Sequence, residues 1–489
     1  MTAPTGLVPG SVTSVLAAHV TGLTWDHIPD EVRQRAVDLV TDTLGSIVAG
    51  QTLDSTTALL QGLETATNTA GDHVIPGWDI AVSGTTAAML AGAAAHGFDF
   101  DDTHAPAQIH PGAPIIAAAL AAAQSPRVDG RLPHARDFLT GVVAGYEAMT
   151  RVSYGLNPDV HARRGFHLTG TTGVYGAAAA VAVTLGHGTT TLEHAWGTAL
   201  SMTAGSGQFM VNGAWTKRVH VGNAAANGYL AVQLAAAGVT GAADALSGRD
   251  GFFNLYSTEP TPHLAVADLD RWEILGTGIK PYPCCRAIHA SLEAVMNLQQ
   301  EHGFVASDVD SVLVGLPERC HQVTCDPPEA KRSPQNIVDC QFSLHLCLAQ
   351  AISTGRFTFA DYEDSLSDAT VADLMQRIKA EIDARADAIY PQSFPSRVRI
   401  ELKDGRALES WIEVPLGEPS RMPSPDQARA KFLGLATLAV DAAVADALFD
   451  AASGLADVVG DTALRHLLQV GEPGSRRPEP RVGLLASKG

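Results

Sequence analysis

The sequence is poor in lysine and in charged side chains generally. Only seven of its 33 basic residues are lysine, and none lies before Lys217. Charged residues make up 17% of the 489-residue chain, whereas roughly 25% is typical of soluble domains. We therefore expect much of the chain to be buried, and each lysine to have a specific role.

Basic charge and long apolar runs are also lacking. The net charge is −19, from 33 basic and 52 acidic residues. Nucleic acids and anionic membranes attract net basic surfaces, so we expect neither as a partner. The longest apolar runs, residues 113–123 and 177–185, are shorter than the roughly 20 residues of a spanning helix. No signal peptide is recognised, and we predict a cytoplasmic protein.

Familiar cofactor and metal motifs are missing as well. The six cysteines lie between Cys284 and Cys347 and form no C-x-x-C pair. There is no dinucleotide-binding fingerprint, P-loop, H-E-x-x-H or G-x-S-x-G motif, and no iron–sulfur spacing. We expect reduced cysteines, with Cys284 and Cys285 as packing residues. The sequence predicts acid–base chemistry by side chains, without a cofactor or a metal.

Hydrophobic periodicity predicts a mainly α protein. Apolar residues recur at helical spacing in residues 30–50, and further helices are predicted at 85–96, 114–124, 135–154, 170–185, 191–204 and 221–237. Strand-like alternation occurs at 311–316, 396–402 and 407–414, and an Asp-Gly turn between the last two indicates a hairpin. Helices are predicted near 289–302 and 338–352, among these strands.

These patterns predict a large discontinuous all-helical domain with an inserted smaller α+β domain. The helical domain is assigned to residues 8–278 and 421–471, and the α+β domain to residues 279–420. The Pro- and Arg-rich tail, residues 472–489, is predicted to be disordered.

Four segments combine ionisable side chains with glycine or proline in apolar surroundings. The first, residues 96–111, carries Asp99, Thr103 and His110 between two alanine-rich helices. Carboxylates beside an imidazole suit general acid–base catalysis. The alternatives are a polar turn capped by its aspartates and a metal site, although the spacing matches no standard zinc or calcium pattern.

The second and third segments combine histidine with helix starts or cations. His167 precedes hydroxyls and glycines at a helix start, where backbone N–H groups bind anions; an ordinary capped helix start is the alternative. Lys217 and His220 are three residues apart and share a face if they lie on a helix. We interpret them as an anion-binding cation beside a titrating imidazole, against the alternative of a basic surface turn.

The fourth segment, residues 280–289, lies at the predicted domain junction. It contains Lys280, Arg286 and His289. Domain junctions are favoured positions for small-molecule sites, and His289 is a candidate acid or base.

The four segments, in this order, resemble the MmgE/PrpD family. This family includes 2-methylcitrate dehydratase, cis-aconitate decarboxylase and iminodisuccinate epimerase. The matching motifs are D-F-D-D-T at 99–103 with H-P at 110–111, G-F-H-x-T-G at 165–170, T-K-R-x-H-x-G at 216–222 and K-P-Y-P-C-C-R-x-x-H at 280–289. The resemblance spans nearly the whole chain.

The resemblance implies a large helical domain with a smaller α+β lid domain, and a homodimer. It implies a pocket between the two domains, as in the decarboxylase branch. The implied catalytic residues are Asp99, Thr103, His110, Lys217 and His289. The predicted substrate-binding residues are His167, His220, Lys280 and Arg286.

The resemblance also implies a cofactor-independent lyase that decarboxylates or dehydrates a small di- or tricarboxylate. Motifs characteristic of the dedicated 2-methylcitrate dehydratases are not found. Arg286 is a cation that not all decarboxylase-type members carry, and it is a candidate to bind an additional carboxylate. The alternatives are an epimerase of a dicarboxylate such as iminodisuccinate and a non-catalytic carboxylate-binding member.

Overall fold

The computed structural model describes residues 8–456 and 462–470, and helices dominate the chain up to residue 276. The helices of this part are Val12–Thr21, Asp30–Gly50, Asp54–Ala66, Gly84–Ala95, Gly112–Ala122, Ala135–Leu156, Pro158–Arg163, Leu168–Leu185, Thr189–Ala199, Thr216–Ala236 and Phe252–Tyr256. The sequence-predicted helix at residues 30–50 begins and ends where expected.

Helices and a sheet alternate between residues 289 and 412. The helices are His289–His302, Glu318–Cys325, Pro328–Lys331, Ile337–Gln341, Leu344–Thr354, Asp361–Ser367, Ala369–Arg377 and Ala384–Asp387. Three further helices follow, Pro425–Ala436, Ala442–Ser453 and Thr462–Gln469. The predicted disordered tail, residues 472–489, lies outside the described residues.

The sheet of this second part has four strands. Its spatial order is Ile378–Ile382, Val309–Leu316, Ser396–Leu402 and Ala407–Ile412. The first pair is parallel and the other two pairs are antiparallel. The parallel edge strand was not predicted, although its sequence, I-K-A-E-I, alternates apolar and polar residues. It is only five residues long and directly follows helix Ala369–Arg377, so its periodicity gives a weak signal.

Two expectations from the sequence need correction. The first part of the chain is not all-helical, because Ala70–Val74 pairs with Ala81–Val82 and Thr103–His104 pairs with Thr277–Gly278. The helix expected at 338–352 is interrupted at Ser343, whose hydroxyl accepts a hydrogen bond from the Leu346 amide and so begins a new helix.

Buried apolar residues form two main clusters. The first joins the N-terminal helices to the C-terminal ones, where Phe432, Leu448 and Leu467 pack into it. The second lies between Cys284 and Leu408 and contains the four-stranded sheet. The precise domain boundaries, and the description of the second unit as a lid, stay predictions.

Small residues bring the helices of the first cluster close together. A Cβ atom at Gly222 would lie 2.4 Å from the Met89 carbonyl oxygen, so this contact excludes any larger side chain. It fixes helix Thr216–Ala236, which carries Lys217, against helix Gly84–Ala95. Leu168–Leu185 is long and apolar enough to cross a membrane, but 94% of it is buried in the protein, as in the core helix of a soluble protein.

Candidate active site

Residues 96–111 form a loop between helices Gly84–Ala95 and Gly112–Ala122. Two contacts of Asp102 anchor this loop: it accepts hydrogen bonds from the Gly112 amide at 2.8 Å and the Tyr146 hydroxyl at 2.5 Å. The pairing of Thr103 with Gly278 brings the chain near Lys280 alongside the loop. The side chain of Asp102 and the backbone of Thr103 therefore hold the middle of the loop in place.

The burial of Asp102 predicts that the stability of the folded protein depends on pH. Burial, with the nearby Asp101 charge, raises its pKa to about 8 against the opposing hydrogen bond from Tyr146. The folded protein then binds a proton that the unfolded chain releases near pH 4, so this residue makes stability fall as pH rises from 4 to 8. We expect Asp102→Asn to remove this fall, which changes the slope of the unfolding free energy against pH by up to about 1.4 kcal/mol per pH unit.

Denaturant titrations of both proteins between pH 4 and pH 8 measure this difference. Parallel pH profiles for wild type and Asp102→Asn would show that Asp102 does not hold this proton.

Two buried lysines converge on Asp99. Lys217 Nζ lies 2.5 Å from Asp99 Oδ1, and Lys280 Nζ lies 3.2 Å from Oδ2 and 2.7 Å from the Asp99 carbonyl oxygen. Burial raises the pKa of Asp99, but the two ammonium groups lower it by more, so this carboxylate is ionised. Asp99 also has a φ of 52°, a conformation costly for residues other than glycine. The two lysines therefore fix the carboxylate of a residue whose backbone conformation is strained.

Asp101 joins two imidazoles. Its Oδ2 lies 2.7 Å from His96 Nδ1 and its Oδ1 lies 3.2 Å from His110 Nδ1. Burial raises the pKa of Asp101, but the imidazoles lower it well below its usual value. Burial lowers the pKa of His96 to about 3, despite the nearby Asp101, so this imidazole is neutral at neutral pH. The arrangement orients the His110 ring, the pattern expected for a general acid or base.

His167 and His220 continue this row of imidazoles. The His96 and His167 rings stack with centroids 5.7 Å apart, and His167 Nδ1 shares a 3.3 Å hydrogen bond with His220 Nδ1. Burial lowers the pKa of both, further assisted by Lys217. Both are therefore neutral at neutral pH and contribute no positive charge.

Arg286 is paired with a carboxylate that the sequence did not single out. Its Nη2 and Nε lie 2.6 and 2.8 Å from Glu418 Oε1, and its Nη1 donates to His289 Nδ1 at 3.1 Å. A guanidinium only donates, so His289 carries its proton on Nε2 and donates it to the Cys284 carbonyl at 3.2 Å. Both nitrogens of His289 thus have protein partners.

A cavity of about 200 Å³ adjoins the Asp99 and Asp101 clusters. Residues of the 96–111 loop line it, including Asp99, Thr103 and His110. Its remaining lining comes from the second part of the chain: Lys280, Cys285, Arg286, Ala287, Arg319, Cys320, Val323, Phe342, Tyr390 and Phe394. The cavity therefore lies between the parts of the chain that build the two hydrophobic cores.

Comparison with known proteins identifies the family. The MmgE/PrpD N-terminal domain profile matches residues 14–265 and the MmgE/PrpD C-terminal domain profile matches residues 282–455. The chain belongs to the MmgE/PrpD family. The resemblance inferred from the motifs is thereby confirmed.

Among curated MmgE/PrpD relatives, several are named cis-aconitate decarboxylase. One from Aspergillus terreus is 26% identical over 432 residues, which cover 84% of this chain and 87% of the relative. The human protein is 25% identical over 483 residues, or 95% of each chain, and the mouse protein is 25% identical over 478 residues. These relatives indicate the class of enzyme, at an identity too low to fix the substrate.

The MmgE/PrpD motif segments meet at one place in the fold. Lys217 and Lys280 both contact Asp99. The His96 ring packs against the rings of His110 and His167, and His167 packs against His220. Thr103, His110, Lys280 and Arg286 line the cavity, whereas Lys217 and His289 lie behind its lining. The roles assigned to these residues stay predictions, and the geometry gives His289 no free ring nitrogen.

The sequence reasoning missed several residues of this site. Glu418 and Arg319 lie outside the four segments. The tertiary structure places Arg319 in the lining of the cavity and Glu418 against Arg286, which also lines it. Cys285 was read as a packing residue, yet it lines the cavity. Burial raises its pKa to about 11, so its thiol keeps its proton at neutral pH. Its position five residues after Lys280 in the same motif was an available signal.

Ligand atoms of His96, Asp99, Asp101 and His110 lie within 4.8 Å of one another, close enough to surround a metal ion. The neighbouring charges oppose this use. Lys217 and Lys280 already face the two Asp99 oxygens, and both Asp101 oxygens face imidazoles. Two ammonium groups at this distance repel a divalent cation, so the donor set does not fit one.

Proposed function

We propose that this protein is a cofactor-independent lyase that acts on a small di- or tricarboxylate, with decarboxylation of a cis-aconitate-like acid as its reaction. Dehydration of a 2-methylcitrate-like acid is the related possibility within the same class. The observation that carries the proposal is the cavity in which His110, Lys280 and Arg286 line one space beside Asp99. Cations and an imidazole around a cavity of about 200 Å³ suit a small acid.

Decarboxylation needs charge stabilisation and one proton. The bond between carbon and the departing carboxylate breaks, CO₂ leaves, and its electron pair passes to the remaining unsaturated acid. A proton is then added at carbon. Cations fixed in a site that excludes water stabilise the negative charge as it develops, and Lys280 is the buried ammonium group of the cavity lining.

His110 is the proposed proton donor. Asp101 contacts its Nδ1, and no hydrogen bond to its Nε2 is found within residues 8–456 and 462–470. The Nε2 atom is thus available to a substrate in the cavity that His110 lines. After giving its proton to carbon, His110 regains one from water.

The other predicted residues are proposed to position or bind groups next to Lys280 and His110. Lys217 and Lys280 keep Asp99 ionised and fixed, and Thr103 offers a hydroxyl to the cavity. We assign His289 as a positioning residue, because it contacts Arg286 and not the cavity. His167 and His220 support the His96 side of the row.

An epimerase is favoured by one specific feature. Epimerisation exchanges a proton on opposite faces of a carbon, which takes two proton carriers. His110 and Cys285 both line the cavity, and they come from segments far apart in the chain. The experiment below therefore separates epimerisation from the lyase reactions.

The reaction is tested by incubating the protein, after dialysis against EDTA, in D₂O with cis-aconitate, 2-methylcitrate and iminodisuccinate. We expect cis-aconitate to lose CO₂ and one deuterium to enter the product, followed by NMR. Turnover is expected to persist after EDTA treatment, because side chains perform the chemistry. Asp101→Asn provides the matched low-activity control.

Other outcomes identify other functions. Loss of water from 2-methylcitrate would assign a dehydratase, and deuterium exchange without net product from iminodisuccinate would assign an epimerase. Thermal stabilisation by an acid, without turnover or exchange, would reject an enzyme in favour of a carboxylate-binding protein.

We also propose a cytoplasmic homodimer. Met210, Val211 and Trp215 are exposed on the segment that leads into Lys217, and these apolar side chains are surface that a partner subunit could cover. The six cysteines are all free, which is consistent with a reducing compartment.

A further inference from the structure

The positive groups that line the cavity differ in one respect. Within the described residues 8–456 and 462–470, all but one already face a carboxylate of the protein. The pairs are Lys280 with Asp99 at 3.2 Å and Arg286 with Glu418 at 2.6 Å. The His104 imidazole is neutral, because burial lowers its pKa to about 4, and the His110 imidazole lies 3.2 Å from Asp101. The exception is Arg319.

Arg319 has only a weak polar contact in the described part of the chain. Its Nη1 lies 3.5 Å from Gln322 Oε1, and no carboxylate lies within 4.0 Å of its guanidinium there. The adjacent Glu318 is exposed to solvent and forms no ion pair with Arg319; its carboxylate accepts a 3.3 Å hydrogen bond from Gln322 Nε2. Arg319 thus brings uncompensated positive charge to the cavity.

One helix places the charge of Arg319 on one wall of the cavity. Arg319 is the second residue of helix Glu318–Cys325, and Cys320 and Val323 of the same helix also line the cavity. Val323 is four residues after Arg319 and three after Cys320, so it shares a helix face with each of them. Arg319 is half-buried, which protects its charge from screening by solvent salt.

An acid with two or three carboxylates brings more negative charge than the paired cations can neutralise. A guanidinium binds a carboxylate through two parallel hydrogen bonds, with a fixed geometry. We propose that Arg319 binds a carboxylate of the substrate, away from the Asp99–Lys280–His110 group, and so selects acids that carry more than one carboxylate. This inference rests on the proposed function and names the residue that reads its substrate class.

The test compares Arg319→Gln and Arg319→Lys with wild type, using cis-aconitate with three carboxylates and crotonate with one as probes. Calorimetry gives the Kd values, and the turnover assay gives KM and kcat. We expect Arg319→Gln to weaken cis-aconitate binding by about 10- to 100-fold, with little change for crotonate. KM should rise more than kcat falls, and Arg319→Lys should recover part of the affinity. Arg385→Gln, an exposed arginine outside the lining, is the matched control.

The outcomes separate this inference from the proposed function. Unchanged cis-aconitate affinity and KM in a folded Arg319→Gln variant, with wild-type turnover intact, would overturn the role of Arg319 alone. Equal weakening of both probes would also overturn it, because selection by carboxylate number would be absent. If wild type neither binds nor converts any di- or tricarboxylate, both proposals fail together.

Discussion

Replacing Lys217 with methionine is expected to reduce turnover by about 10³-fold or more and to lower the unfolding free energy by on the order of 3 kcal/mol. Lys217 Nζ lies 2.5 Å from Asp99 Oδ1, with both side chains almost fully buried. Without this ammonium group, Asp99 keeps only Lys280 and its pKa rises. The carboxylate beside the cavity then loses its charge or its position.

Stability and activity can be separated by a second substitution. The second substitution is placed at Lys431, because adding Asp99→Asn to Lys217→Met would leave the buried Lys280 without its carboxylate partner. Lys431→Met is the matched control: the Lys431 side chain is also buried, but its carboxylate partner is Asp42, at 2.6 Å, and not Asp99. It should lose stability and keep turnover within about tenfold. Near-wild-type turnover in folded Lys217→Met would remove Lys217 from the reaction.

Asp101→Asn is expected to lower kcat by about 10²- to 10⁴-fold. The amide that replaces the carboxylate is uncharged. It turns an N–H₂ donor toward either His96 or His110, where the carboxylate of Asp101 offers an acceptor. His110 then loses the carboxylate that fixes its orientation. Steady-state kinetics with the acid identified in the D₂O experiment measures the loss.

The next residue supplies a control for this change. Asp102→Asn alters the same loop by the same substitution, but Asp102 contacts Gly112 and Tyr146 and no imidazole. We expect it to retain most of the activity. Equal losses of kcat in both variants would attribute the effect to loop structure and exclude a specific role for the Asp101–His110 pair.

Much of this protein followed from its local patterns. The helix at residues 30–50 and the hairpin strand at 396–402 have the predicted bounds, because hydrophobic periodicity there is regular and the turns carry clear signals. The ordered motifs were sufficient to identify the family. They could not identify the reaction, because dehydration, decarboxylation and epimerisation need similar cations and proton carriers.

The sequence could not show which protein group each candidate residue contacts. Arg286 was a candidate to bind a substrate carboxylate, yet it faces Glu418, more than a hundred positions along the chain. His289 was a candidate acid or base, yet its ring nitrogens meet Arg286 and a carbonyl oxygen. Such pairings depend on contacts between segments that are distant in the sequence, so no local spacing predicts them.

The scarcity of lysine was visible in the sequence, and it directed attention to Lys217 and Lys280. Lys217 and Lys280 are buried beside the loop at residues 96–111, and Lys431, whose side chain is 8% exposed, donates to the Phe100 carbonyl of the same loop. Composition determined that these residues were unusual, because a buried ammonium group is costly unless a partner compensates it. Only the tertiary structure decided which carboxylate each one meets, and that it leaves Arg319 as the cavity's unpaired charge in the described chain.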